Sequence, residues 1–210
     1  LLIVEGPDGV GKTTLCRALL KRFHENHKRY SAFPVIYHHF SRPPSCWHFP
    51  RSYLPYVTRH TVCDRFHLSE MCYALVRPGG ADPFTENMVR LLEAHLMLAG
   101  SYTVLLTASE EFLRWQWSRK GDKQEMYDVE QVVQVNRLYE NLQERHPEAR
   151  VDFHFRLDAC REDSFLSLRE DVMDDILMAW SSRLAYIFTH TGDFYGTVQR
   201  EVEAVRPVLR

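Results

Sequence analysis

Leu1-Leu2-Ile3-Val4-Glu5-Gly6-Pro7-Asp8-Gly9-Val10-Gly11-Lys12-Thr13-Thr14 is the stretch whose reading decides the fold. Its four leading apolar residues have the length and continuity of a buried strand. Gly6 to Thr13 then satisfies G-x-x-x-x-G-K-[ST] at every fixed position. Such a strand ends in a glycine-permitted turn whose backbone N–H groups, with the N-terminus of the next helix, converge on one anionic group. The segment therefore reads as a phosphate-binding loop. Lys12 supplies a point charge to the β- and γ-phosphates and Thr13 a hydroxyl to Mg²⁺, with Gly9, Gly11 and Thr14 completing the cradle.

Outward from this loop the chain alternates helix and strand. Leu15, Leu19 and Phe23 predict a helix over 12–25, and Val35 to Phe40 a second strand halted by Pro43-Pro44. Thr61-Val62-Cys63 is a third strand leading into Asp64-Arg65. Helices are expected over 66–77, 85–99 and around Phe112 to Trp117. Tyr102 to Ala108 is a continuous apolar run of the kind buried in a parallel sheet. A long helix is expected from 128 to 145, a last strand over 151–157, and an amphipathic helix over 164–180. Strands and helices alternating in this way predict a five-stranded parallel sheet with helices on both faces, with ligands beyond the carboxyl ends of the strands. Gly6 to Thr13, Arg42, Asp64 and Asp158 all fall there.

The chain has 210 residues and a formal charge of −2, a length suited to one α/β domain with an appendage. No overall basic excess draws it to nucleic acid. The charge is unevenly spread, however. Residues 26–63 contain no acid but hold Lys28, Arg29, Arg42, Arg51 and Arg59, with five histidines and eight aromatic residues, so the rest of the chain carries −7. Alternating cations and aromatics can neutralise phosphates and stack bases along a strand. Within the span Arg42, Trp47, Arg51, Tyr53, Tyr56 and Arg59 are the candidates for that work.

The five cysteines, Cys16, Cys46, Cys63, Cys72 and Cys160, show no metal-finger spacing, and the expectation is a reduced, cytoplasmic setting. His38 and His39 are adjacent on a strand and point to opposite faces, so they form no transition-metal site. No apolar run approaches the roughly 18–20 residues of a membrane span, and the first residues read as a strand rather than a signal peptide.

The loop, taken with a strand ending in Asp64-Arg65-Phe66-His67-Leu68-Ser69, resembles the thymidylate kinase and deoxynucleoside kinase branch of the P-loop kinases. The second signature of that family is D-R-[aromatic]-x-x-S. The resemblance implies a P-loop kinase core over 1–160, with 26–63 as an acceptor-binding insertion and 114–127 as a basic lid, followed by a C-terminal helical extension over 161–210. It implies transfer of the γ-phosphoryl of ATP, with Mg²⁺, to a deoxypyrimidine-type nucleoside or nucleotide. Lys12, Asp64, Arg65 and Arg119 are then the catalytic candidates, Arg114 joins the loop in holding ATP, and Thr13 and Asp64 hold Mg²⁺. Lid cations Arg114, Arg119, Lys120 and Lys123 flank Gly121. Asp8, His39, Arg42, Arg51, Phe66, Ser69 and Tyr73 are the acceptor-site candidates.

Two departures narrow the acceptor. The family carries a pattern resembling S-x-x-A-Y-Q, whose glutamine reads thymine, and here Ser69, Cys72, Tyr73 and Ala74 stand at those positions. Alanine cannot make that readout. After the second strand, His38-His39-Phe40-Ser41-Arg42-Pro43 replaces the family's acidic motif and leaves Asp64 or His39 as candidate base. Kinases of this fold are known in viral systems that phosphorylate 5-hydroxymethyluracil within DNA. A base in DNA is thus the alternative acceptor, in a host-cell cytoplasm if the chain is viral. A non-enzymatic nucleotide sensor is the third reading. Tyr186, Phe188, Phe194 and Tyr195 give the C-terminal segment surface to cover a sheet edge or a second copy in a homodimer.

Overall fold

The structure, a computed structural model, describes residues 1–26, 35–40, 53–57, 60–119, 127–158 and 170–190. Five strands, β1 (Leu2–Glu5), β2 (Ile36–His39), β3 (Thr61–Asp64), β4 (Tyr102–Ala108) and β5 (Phe153–Leu157), form one all-parallel sheet ordered β2-β3-β1-β4-β5. The helices are α1 (Lys12–Glu25), α2 (His67–Val76), α3 (Glu86–Leu98), α4 (Glu110–Arg119), α5 (Val129–Glu140), α6 (Leu142–Arg145) and α7 (Glu170–His190). The three inner strands β1, β3 and β4 are buried along their whole lengths, and β1 and β4 accordingly read as nearly continuous apolar runs.

The chain leaves β1 in one direction, towards β2, and returns across β1 from β3 to β4 and on to β5. Right-handed crossovers place helices of oppositely directed connections on opposite faces. So α1 lies on one face, and α2, α3 and α5 on the other. The direction reverses between β1 and β3, where an open parallel sheet leaves a crevice at its carboxyl edge.

Helix α7 packs beside α1. Arg22 donates from Nε and Nη2 to the two carboxylate oxygens of Asp174, at 2.6 and 2.8 Å, and the Phe23 and Trp180 rings lie 5.9 Å apart. Ile176, Leu177, Trp180 and Leu184 belong to the main hydrophobic core, so this helix is part of the sheet's covering. It runs ten residues past Trp180, where the expected apolar periodicity stops. Arg183 accounts for the continuation, reaching the Ser101 carbonyl at 2.8 Å and Asp152 Oδ1 at 2.9 Å.

Two other boundaries differ from expectation. The helix foreseen over 128–145 is broken at Asn141, whose φ of −98° and ψ of 13° leave the helical region while its N–H turns to the Arg137 and Tyr139 carbonyls. Asparagine favours such local alternatives over a helix interior. At the sheet edge β5 begins at Phe153, because the Asp152 carboxylate accepts from the Thr103 N–H at 2.8 Å in place of a ladder bond. Cys16, Cys63 and Cys72 are buried and free. Among the described residues no helix is long and apolar enough to cross a membrane.

Candidate functional site

Register decides what meets at the carboxyl edge of β1 and β3. Val4 is paired with Asp64, and Asp64 with His39. Alternation along a strand sends Glu5 to the opposite face from Val4 and Asp64. Hence Asp64 and His39 face the N-terminus of α1, while Glu5 faces α2 and α5.

On the first side the loop after β1 folds back over the sheet edge. Gly6 has φ 143°, and a Cβ there would collide with the Leu106 carbonyl oxygen. Gly11, at φ 85°, turns the chain into α1. Lys12 is buried, donates to the Pro7 carbonyl at 2.7 Å and lies 4.0 Å from Asp8 Oδ1. Asp64 is fully buried. Its Oδ2 accepts from Thr13 Oγ1 at 2.5 Å and Tyr37 OH at 3.1 Å, and His39 Nδ1 stands 3.0 Å away. Burial and the Asp64 carboxylate push the Tyr37 phenol up to about 12, so it remains a donor at neutral pH. Asp64 Oδ1 is buried without a hydrogen-bond partner.

Arg65 is the one non-glycine residue with positive φ among the described residues, at 70°. It pairs with Asp8 across the loop, and its guanidinium carbon lies 5.2 Å from the centre of the Tyr73 ring. Asp8, Gly9, Gly11, Lys12, Thr13, Thr14, His39, Asp64, Arg65 and Gln116 together line a cleft of about 460 Å³.

Nine of the expected loop, catalytic and acceptor positions, Asp8, Gly9, Gly11, Lys12, Thr13, Thr14, His39, Asp64 and Arg65, therefore meet in one place. Others are placed elsewhere. Phe66 is buried among Phe40 and Tyr53, with ring centres 5.4 and 4.8 Å away. Ser69 faces the core, where its hydroxyl donates to Glu5 Oε2 at 2.5 Å. Tyr73 is buried against Tyr127, and burial raises its phenol well above the ordinary range. Neither Arg114 nor Arg119 lines the cleft. Arg114 is held bidentately by Glu130, with Nη2 to Oε2 at 2.9 Å, and Arg119 lies over the Trp115 ring at 4.8 Å. Arg42, Trp47, Arg51, Arg59, Lys120, Gly121, Lys123, Phe194 and Tyr195 lie outside the described residues, as do Cys46 and Cys160.

Two participants escape sequence reading. Gln116 enters the cleft from α4, where nothing in local sequence separates it from the surface positions beside it. Glu5 lies behind the site and accepts from three backbone N–H groups at the start of α2. An acid at the end of an otherwise apolar strand was the available signal, since a buried carboxylate needs donors supplied by the fold.

Compared with models of protein families and with curated protein sequences, the chain gives no match.

Proposed function

We propose that this protein is a P-loop kinase of the nucleoside and nucleotide kinase fold, transferring the γ-phosphoryl group of ATP to a deoxypyrimidine-type nucleoside or nucleotide. The observation that carries the reading is the single cleft into which Lys12, Thr13, Asp64 and Arg65 converge, at the point where the crossover direction reverses.

Phosphoryl transfer asks mainly for positioning and for cations where charge accumulates. The 6–13 loop and the start of α1 offer backbone N–H groups to a triphosphate, and Lys12 adds a charge that Asp8 neutralises only at 4.0 Å. Arg65, on the far side of Asp8, is placed to meet the transferred group or the acceptor. Thr13 and Asp64 would hold Mg²⁺, which supplies charge neutralisation between phosphates. The fit rests on Asp64 Oδ1, a buried carboxylate oxygen with no hydrogen-bond donor. No group of three or more His, Cys, Asp or Glu able to hold a metal occurs among the described residues. A single carboxylate with a hydroxyl suits an ion that keeps its waters and binds phosphates. His39 and Asp64 are the groups able to take the acceptor's proton.

A second reading, phosphorylation of 5-hydroxymethyluracil within DNA, is favoured by the acid-free, aromatic-rich span 26–63 and by Ala74 standing where a thymine-reading glutamine is expected. The test offers γ-labelled ATP and Mg²⁺ with free deoxynucleosides, their monophosphates, and DNA containing thymine or 5-hydroxymethyluracil. Label on a free nucleoside or nucleotide supports the first reading, and label on DNA the second. Nucleotide binding without label on any acceptor overturns both in favour of a nucleotide sensor.

A further inference from the structure

Arg65 occupies a backbone conformation that a side chain with a Cβ rarely takes, and such a conformation persists only where the surroundings over-determine it. The surroundings here are two consecutive residues of β1. Before the strained dihedral, the Arg65 N–H donates to the Val4 carbonyl at 2.9 Å. After it, the Phe66, Leu68 and Ser69 N–H groups converge on Glu5 Oε1 at 2.9, 3.0 and 3.3 Å. These are the N–H of the N-cap residue Phe66 and two N–H groups of the first turn of α2, which lacks a side-chain cap of its own. The carboxylate thus does from another element what an N-cap residue does locally.

The other oxygen is equally committed. Glu5 Oε2 accepts from Ser69 Oγ at 2.5 Å and from Tyr139 OH at 3.2 Å, and Tyr139 OH also lies 2.9 Å from Ser69 Oγ. Helix α5 therefore braces the same carboxylate from outside. Glu5 is fully buried. Burial raises its pKa, against the opposing pull of Ser69, His67 and the Phe66 and Ser69 N–H groups.

We infer that Glu5 is a positioning residue for Arg65: its carboxylate, reaching from the end of β1, fixes the start of α2 and so holds Arg65 in the left-handed turn that carries the guanidinium into the cleft. Glu5 immediately precedes the 6–13 loop. One residue thereby sets the distance between the phosphate-facing loop and the arginine opposite it. Ser69 acts in this arrangement by orienting Glu5, not by touching the acceptor. The inference rests on the reading of the cleft as a phosphate site.

Inorganic tripolyphosphate is the probe, with its Kd measured by titration calorimetry for wild type, Glu5→Gln, Arg65→Ala and the double variant. Glutamine keeps the size of the side chain but forces Ser69 Oγ and Tyr139 OH to accept where they donated. Arg65→Ala is expected to weaken binding by about tenfold to a hundredfold. Glu5→Gln should weaken it about threefold or more in the wild-type background and have no further effect beside Arg65→Ala. Should Glu5→Gln fail to fold, Tyr139→Phe removes one of the two hydroxyl donors to Oε2 and carries the same comparison. Equal weakening in both backgrounds overturns the inference, because a merely structural role does not depend on Arg65. Tight binding by Glu5→Gln equal to wild type overturns it as well. If wild type binds no tripolyphosphate, the phosphate reading of the cleft falls, and this inference with it.

Discussion

Thr13 and Asp64, 51 residues apart in the chain, meet through a 2.5 Å hydrogen bond in which the threonine hydroxyl donates to Asp64 Oδ2. One sits in the first turn of α1 and the other at the last residue of β3. Tyr37 and His39 of β2 approach the same oxygen, so Oδ2 is saturated by the protein and Oδ1 alone is left without a donor. A carboxylate divided in this way is fixed by one oxygen and left without a donor at the other.

Replacing Asp64 by asparagine should keep the Thr13 and Tyr37 contacts while removing the charge. On the proposed reading Asp64 would itself hold Mg²⁺, so the Mg²⁺ concentration for half-maximal phosphoryl transfer is expected to rise by at least about 10–100-fold, the range for loss of a group one shell further out. A magnesium titration of initial rates checks this, and unchanged magnesium dependence would remove Asp64 from the metal site.

On the proposed kinase reading Lys12→Ala should behave differently, since no excess of Mg²⁺ would replace a charge directed at the transferred group. Loss of about 10²–10³-fold in kcat is expected, with the thermal unfolding midpoint close to that of wild type. Lys12 donates to the Pro7 carbonyl, and the backbone there can turn to water. Wild-type turnover would falsify the assignment of the loop.

Trp180→Ala tests whether α7 is integral to the sheet's covering. The indole is fully buried and packs on Phe23 of α1. Truncation should destabilise the protein by about 3–5 kcal/mol, seen as a lower denaturation midpoint in urea with an unchanged slope. A midpoint within error of wild type would mean that α7 folds apart from the core.

His154 gives a pH-dependent signature at the sheet edge. Its Nε2 lies 2.8 Å from Thr107 Oγ1 on β4. Burial foremost, helped by Arg156 and opposed by Glu140, lowers its pKa from the ordinary 6.5. The unfolded chain therefore binds a proton first as pH falls. This contribution to stability is whole above pH 6.5 and declines as pH drops from there to the folded-state value. In the folded protein its imidazole resonance should titrate below 6.5 by NMR, and His154→Gln should flatten the stability curve across that interval.

Strands β1 and β4 and the helix after the first loop were legible in sequence, because burial on both faces favours nearly unbroken apolar runs and a packed helix shows its period locally. Lys12 to Glu25 and Tyr102 to Ala108 fall at the bounds their residues suggest. The end of α7 was not legible, since Ser181-Ser182-Arg183 offers no apolar signal and the anchoring partners, Ser101 and Asp152, lie far back in the chain. Of the site, the loop residues could be read from their spacing, and Asp64-Arg65 from their place at a strand end and the family pattern they resemble. Ser69 could not be placed, because the face it presents depends on Glu5 and Tyr139.

The sequence by itself determined the alternation of strands and helices and the glycine-lysine-threonine loop, since these depend on side-chain periodicity and on local backbone freedom. Only the tertiary structure decided that Asp64 and His39 stand side by side, that Glu5 turns away from them, and that Arg65 swings across to Asp8. Those facts follow from strand register and crossover direction, which are set by burial of the whole sheet and leave no mark in any one segment.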